Sequence, residues 1–277
     1  MRKARHEARL IVIGVLIAIW TLLPIYNMVM LSITPRREAI GAIFPNNPTL
    51  ANFKTVLTQD HYFLKFFWHQ MFNSVLCALV GCALVLLIAA CGSFAVSRMR
   101  TPAGPTVINT ALLSYLIPNA FLAIPIYMTM STYGMLDTRP ALILATVAFT
   151  APYAIWILMQ QSNSLPMELD EAAKVDGATP FQIFYLIYLP LMVPALIAVG
   201  TQAIILSWNE YLFALLILSS PEQATIPLAL GFFLGIDDPP WTLLMAMAIL
   251  YSLPPVAIYY SVRRYMVAGM TAGAVKN

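Results

Sequence analysis

Of the 277 residues, 60% are hydrophobic and 10% charged, with a net charge of +3. An ordinary soluble domain has roughly 45–50% apolar and about 25% charged residues, so a water-soluble domain is excluded. The few positive charges are spread along the chain and form no nucleic-acid-binding run. A mean hydropathy of +0.79, in long apolar runs between short polar gaps, indicates a helical membrane protein of several spans, each of about 20 residues.

The chain opens with Arg2, Lys3, Arg5 and Arg9 ahead of an apolar run at 10–31. The run is too long for a secretory signal and has no small-residue cleavage site, so it reads as an uncleaved first span. Further runs at 71–97, 106–130, 140–160, 191–218 and 242–262 are each long enough to cross ~30 Å of hydrocarbon as a helix. The expected fold is all-α, with six transmembrane helices in a single domain over 1–277. Cys77, Cys82 and Cys91 share one run without metal-ligand spacing and read as small buried hydrophobes. The apolar stretch 224–235 is too short to span and is expected as an interfacial or re-entrant piece of the last outer loop. Lys and Arg divide ten against five in favour of the side bearing the termini. Both termini are therefore expected in the cytoplasm.

Enzymatic signals are absent from the sequence. His6, His61 and His69 sit outside or at the edges of the spans, and no HExxH or GxSxG occurs. No Gly-Lys dipeptide is present, which excludes a Walker phosphate loop. No catalytic residue and no metal site is predicted. Prolines 24, 118, 125, 152, 194, 254 and 255 lie within or at the ends of the expected spans, where each removes a backbone donor and tends to kink the helix. Broken helices of this kind are common in transporters. The only carboxylate inside a span is Glu210, following Trp208 and Asn209. A charge at helix centre costs ~2.5–3.5 kcal/mol, so Glu210 is expected either in a pathway or gate, or in a satisfied inter-helix hydrogen bond. Thr201 and Gln202 suggest a polar face on this span, although Trp208 also suits a membrane-interface belt.

The polar segment at 163–189 is the most informative. Pro166 suits a first helical position, and Glu168, Asp170 and Glu171 fall near the positive helix end. Gly177 fits a left-handed residue just past a helix end, while Thr179, Pro180 and Gln182 form a capping-box pattern for a second helix. The spacing predicts helix, elbow, helix. Leu169, Ala172, Ala173 and Asp176 share one face, and small alanines there allow close approach by a neighbour. The first helix carries four acids and one lysine, so anionic lipid would not hold it and a protein partner is expected.

The run Glu171-Ala172-Ala173, then Gly177, then Leu189-Pro190, resembles the EAA loop of ATP-binding-cassette (ABC) importer permeases. The resemblance covers nearly the whole chain. Asn73-Ser74 at the second span, Asn209-Glu210 in the fifth and the tail 263–277 are similar to the smaller permease subunit of the carbohydrate, maltose-type branch. This resemblance implies the type I importer permease fold, with a coupling helix between spans four and five. It assigns ATPase docking to Glu171, Ala172, Ala173, Asp176, Gly177, Leu189 and Pro190, and pathway or gate lining to Asn209 and Glu210. It also implies tail contacts with the ATPase through Thr271, Gly273 and Lys276. The implied partners are a second, homologous permease subunit in a heterodimer, two ATP-binding subunits that use ATP and Mg, an extracytoplasmic sugar-binding protein and the lipid of a bacterial inner membrane. This chain itself would bind no cofactor. The rival readings are an ion-coupled secondary transporter titrating Glu210, and a structural membrane subunit with no pathway.

Overall fold

The computed structural model describes residues 2–35, 44–99 and 101–274. Among these the chain is helical, without strands. The helices are α1 (Arg2–Ile33), α2 (Ala51–Leu57), α3 (Phe67–Ser97), α4 (Gly104–Leu112), α5 (Asn119–Thr132) and α6 (Arg139–Asn163), followed by α7 (Glu168–Val175), α8 (Pro180–Ile183), α9 (Leu189–Trp208), α10 (Leu212–Ile217), α11 (Ile226–Phe233) and α12 (Trp241–Ala274). Two compact units are formed, one by the chain up to Phe67 with Ala229–Leu253, the other by Trp68–Leu228 with the chain from Pro254.

Five helical runs among the described residues are long and apolar enough to cross a membrane: Arg9–Ile33, Tyr62–Ser97, Arg139–Asn163, Pro180–Trp208 and Trp241–Arg263. The expectation of six continuous spans is corrected at the third. The run 106–130 is divided into α4, a 3₁₀ turn at Leu113–Leu116, and α5, each piece too short to span alone. Pro118 is the cause: it takes an extended ψ of 133° ahead of α5, and a proline also biases the residue before it away from helix. The other prolines do not break their helices, since α1, α5, α6, α9 and α12 run through Pro24, Pro125, Pro152, Pro194 and the pair Pro254-Pro255. The fifth span also departs from its expected limits of 191–218. Its helical run begins at Pro180 and stops at Trp208, with α10 following after a gap at Asn209–Tyr211.

In the first unit, Asn52 on α2 is buried and donates through Nδ2 to the carbonyls of Ser32 and Thr34, at 2.9 and 2.8 Å. This amide closes the end of α1, whose last carbonyls have no intrahelical donor. Phe63 packs its ring 4.8 Å from that of Phe233.

In the second unit, α3, α6 and α9 form the core. Small residues bring α3 and α9 together: the Cys82 thiol donates to the Gly200 carbonyl at 3.4 Å, and the Ser207 hydroxyl donates to that of Cys77 at 3.2 Å. A Cβ on Gly200 would come within 3.1 Å of Leu86. Cys77 and Cys82 are buried as expected, but Cys91 is exposed. Nine residues at about 100° each place it opposite Cys82 on the helix. The stretch expected as an interfacial or re-entrant piece is the short helix α11, in which this unit ends at Leu228 with Ile226 and Leu228 buried.

Two polar clamps hold the connections of this unit. Asn73, buried at the start of α3, donates to the carbonyls of Glu222 and Ala224 at 2.8 and 3.0 Å, and Ser74 accepts from the Ile226 N–H at 2.8 Å. Asp137, between α5 and α6, accepts from the N–H groups of Ser219 and Ser220, each at 2.9 Å, and from the Ser220 hydroxyl. Partial burial pushes its carboxyl up, but these three bonds outweigh it and hold the pKa below the usual value. A carboxyl lowered by folding contributes stability above its unfolded pKa and loses it as pH falls through the folded one. Asp137→Asn should therefore lower the melting temperature at pH 7, with the difference from wild type closing below about pH 4. A pH-independent difference would show that the clamp does not depend on charge.

Candidate functional site

The segment after α6 forms the expected helix, elbow and helix. The first helix begins at Glu168 with Met167 as its N-cap, later than the position read from Pro166. Its end is a Schellman motif. The Ala178 N–H donates to the Ala173 carbonyl at 2.9 Å and the Gly177 N–H to that of Lys174 at 3.1 Å, while Gly177 takes a left-handed φ of +82°. At Thr179 the capping box is complete: its hydroxyl accepts from the Gln182 N–H at 3.3 Å, and Gln182 Oε1 accepts from the Thr179 N–H at 2.7 Å. The chain then continues through a π-helical turn, Phe184–Tyr188, into α9, with Pro190 in its first turn.

The structure brings Glu171, Ala172, Ala173, Asp176 and Gly177 together on α7 and its elbow. Glu171, Ala172 and Asp176 are exposed, and Leu169 beside them is 44% exposed. Leu189 is half-buried and Pro190 exposed. They belong to the start of α9, one π turn beyond the elbow.

Sequence reasoning missed the attachment of this loop. Asp170 faces inward and is 3% exposed, paired with Arg98 just after α3 at 3.5 Å. Arg98 also donates to the Ser162 hydroxyl at 3.2 Å and to the Ser162 carbonyl at 3.1 Å. Ser97 and Ser162 share a hydrogen bond of 2.7 Å. Higher on α3, Ser93 shares one of 2.7 Å with the hydroxyl of Tyr188, whose ring packs edge-on to Phe94. The end of α3 thus touches α6, α7 and the π turn. An arginine ending an apolar helix was the available signal, but its partner could not be named without the fold.

The second predicted site is divided by the structure. Glu210 stands at the break after α9, and its Oε1 accepts from the Phe213 N–H at 2.8 Å. It thereby satisfies an orphan donor at the start of α10. The same residue lines a cavity of about 100 Å³ with Tyr115, Asn119, Thr146, Phe149 and Thr150. Asn209 does not line this cavity; it is exposed and donates to the Ile205 carbonyl at 2.9 Å. Trp208 is 2% exposed and so is no interface-belt residue. Thr201 is buried and its hydroxyl donates to the Ile197 carbonyl at 2.7 Å, while Gln202 is exposed. Thr271 and Gly273 fall in the last turns of α12, and Lys276 lies outside the described residues.

The helix, elbow and helix thus join the apolar helices α6 and α9, and the chain as a whole falls in a class of membrane transport subunits. A crystal structure of a bacterial ABC transporter that imports the polysaccharide alginate matches with a TM-score of 0.77 at 22% identity, over 95% of this chain and 96% of that one. This is the type I importer permease fold. The chain belongs to the family of binding-protein-dependent transport system inner membrane components, whose pattern matches residues 88–272. It is 30% identical to the trehalose transport system permease protein of Mycobacterium tuberculosis over 99% of both chains. It is also 30% identical to the trehalose/maltose transport system permease protein of Thermococcus litoralis over the full length of both.

Proposed function

We propose that this chain is the smaller permease subunit of an ATP-driven sugar importer of the bacterial inner membrane. It would line half of the pathway in a heterodimer with a second permease chain. Two ATP-binding subunits, using ATP and Mg, would dock on the loop at 163–189, and an extracytoplasmic binding protein would deliver the sugar. The observation that carries this reading is the geometry of α7: a short helix closed by a left-handed glycine, with Glu171, Ala172 and Asp176 exposed and Asp170 held from behind. The relatives named for trehalose and maltose support a sugar as cargo. In this arrangement closure of the ATPase pair moves α7, and the permease pair passes from inward-facing to outward-facing. Contacts of Thr271, Gly273 and Lys276 with the ATPase belong to the same proposal, as does the cytoplasmic placement of both termini.

The test is to express the chain with its second permease chain and ATPase pair, purify the complex and measure ATP-dependent uptake of trehalose and maltose in proteoliposomes. Copurification of the ATPase and uptake that requires ATP are expected. An ATPase-free complex driven by an ion gradient would overturn the reading. Glu210→Gln separates the two mechanisms further. The amide keeps the acceptor toward Phe213 and removes the charge, so substantial ATP-dependent uptake should remain. Abolished uptake in a fully assembled complex would make Glu210 a titrating group. Orientation is read by reporter fusions active only outside the cytoplasm. One after Val275 should be silent and one near Asn46 active, whereas the opposite pattern would invert the topology.

A further inference from the structure

We propose that Arg98 locks the coupling helix α7 to the ends of α3 and α6, so that these elements move as one body when the ATPase acts on the loop. This rests on the ATPase-coupling reading. It assigns to Arg98 and Asp170 a positioning role outside the docking face.

The geometry is that of a joint. The guanidinium of Arg98 is 4% exposed, and a buried charge is tolerated only when its donors are met. Its Nε reaches the Ser162 hydroxyl, and Nη2 reaches the carbonyls of Ser162 and Leu165 at 3.1 and 3.4 Å. Nη1 reaches the Pro166 carbonyl and the Asp170 carboxylate, each at 3.5 Å. These partners belong to the end of α6, to the connection and to α7. The cation therefore sits where the carbonyl end of α6 is negative and where α7 presents an acid.

Asp170 is the one fully buried residue of α7. The helix has eight residues, and Val175 near its end is 88% exposed. The apolar side chains of α7 are exposed apart from half-buried Ala173, so among the described residues the pair is the one ion pair that ties this helix to the end of α3. A planar guanidinium holds its acceptors in fixed directions, which lysine, a point charge on a flexible stem, does not. The joint thus resists rocking of α7 as well as its departure. A coupling helix that rocked on its seat would absorb the stroke without passing it on.

The test uses the assembled complex in proteoliposomes and reads ATP hydrolysed per trehalose or maltose imported. Three variants are compared: Asp170→Asn, Arg98→Lys, and the double change Arg98→Met with Asp170→Leu. Replacing both charges by apolar residues of similar volume is often neutral for folding, so the double variant separates the joint from stability. In variants that assemble, basal ATP hydrolysis should stay near wild type while the ATP used per sugar rises about tenfold, within the usual range of coupling free energies. A wild-type ratio in any assembled variant would overturn the lock, because a merely structural pair would not set that ratio. Absence of ATP-driven uptake in the wild-type complex would instead refute the coupling reading itself.

Discussion

Gly177→Val should abolish sugar-stimulated ATP hydrolysis and uptake while leaving membrane insertion and pairing with the second permease chain intact. The residue holds φ at +82°, and its N–H and that of Ala178 close the Schellman motif on α7. An L-residue in that conformation costs ~1–2 kcal/mol, roughly a tenfold loss in the population of the elbow. A Cβ there meets nothing within 4 Å, so within this chain the cost is one of backbone conformation and not of crowding. Ala should accordingly weaken coupling without erasing it. Valine adds a branch that disfavours the left-handed region further, on a surface proposed to dock the ATPase. Measurement of ATPase copurification and transport on the purified complex decides the matter. Wild-type values for both in Gly177→Val would show that the elbow tolerates a side chain.

Asn73→Ala should destabilise the chain by about 2–4 kcal/mol, through lost hydrogen bonds and buried carbonyls left without a donor. Asn73 donates to the carbonyls of Glu222 and Ala224 and accepts from Arg139 at 3.4 Å. Three separate parts of the second unit meet on this amide. Aspartate is nearly isosteric but offers no donor to the two carbonyls, so Asn73→Asp should lose comparable stability. Thermal unfolding in detergent gives the size of each effect, and a melting temperature unchanged in Asn73→Ala would mean that the loop is held by other contacts.

The parts of this protein legible in the sequence are those decided over a few residues. The elbow belongs there, because a Schellman glycine, an N-cap threonine and a capping-box glutamine each act within one turn of their own position. The long spans were equally plain from their apolar length. The prolines were ambiguous, since a membrane helix can pass over one where neighbours cover the freed carbonyl. Only Pro118, followed by an asparagine that starts a new helix, divides its span. The attachment of α7 was illegible for a different reason. Nothing local distinguishes Asp170 from Glu168 and Glu171, and Arg98 follows a separate span, about 70 positions earlier. The clamp at Asn73 joins residues about 150 positions apart. Such pairings exist only once the helices have packed. Cys91 was misplaced because one run was treated as uniformly buried, although a helix in lipid has an outward side.

The π-helical turn at Phe184–Tyr188 determines where this chain can change in length. Such a turn holds one residue more than the α-helical turn it replaces. It is pinned by the capping box at Thr179 and Gln182 upstream, by the Tyr188–Ser93 bond at its own last residue and by buried Met192 downstream. Deleting one residue within the turn, such as the exposed Leu186, would let it relax to an ordinary α-helix with both flanks still in place. The same deletion a turn later would rotate one flank against the other by about 100°. A gap of one residue between elbow and span can therefore be absorbed at this position, and a gap further along the helix cannot.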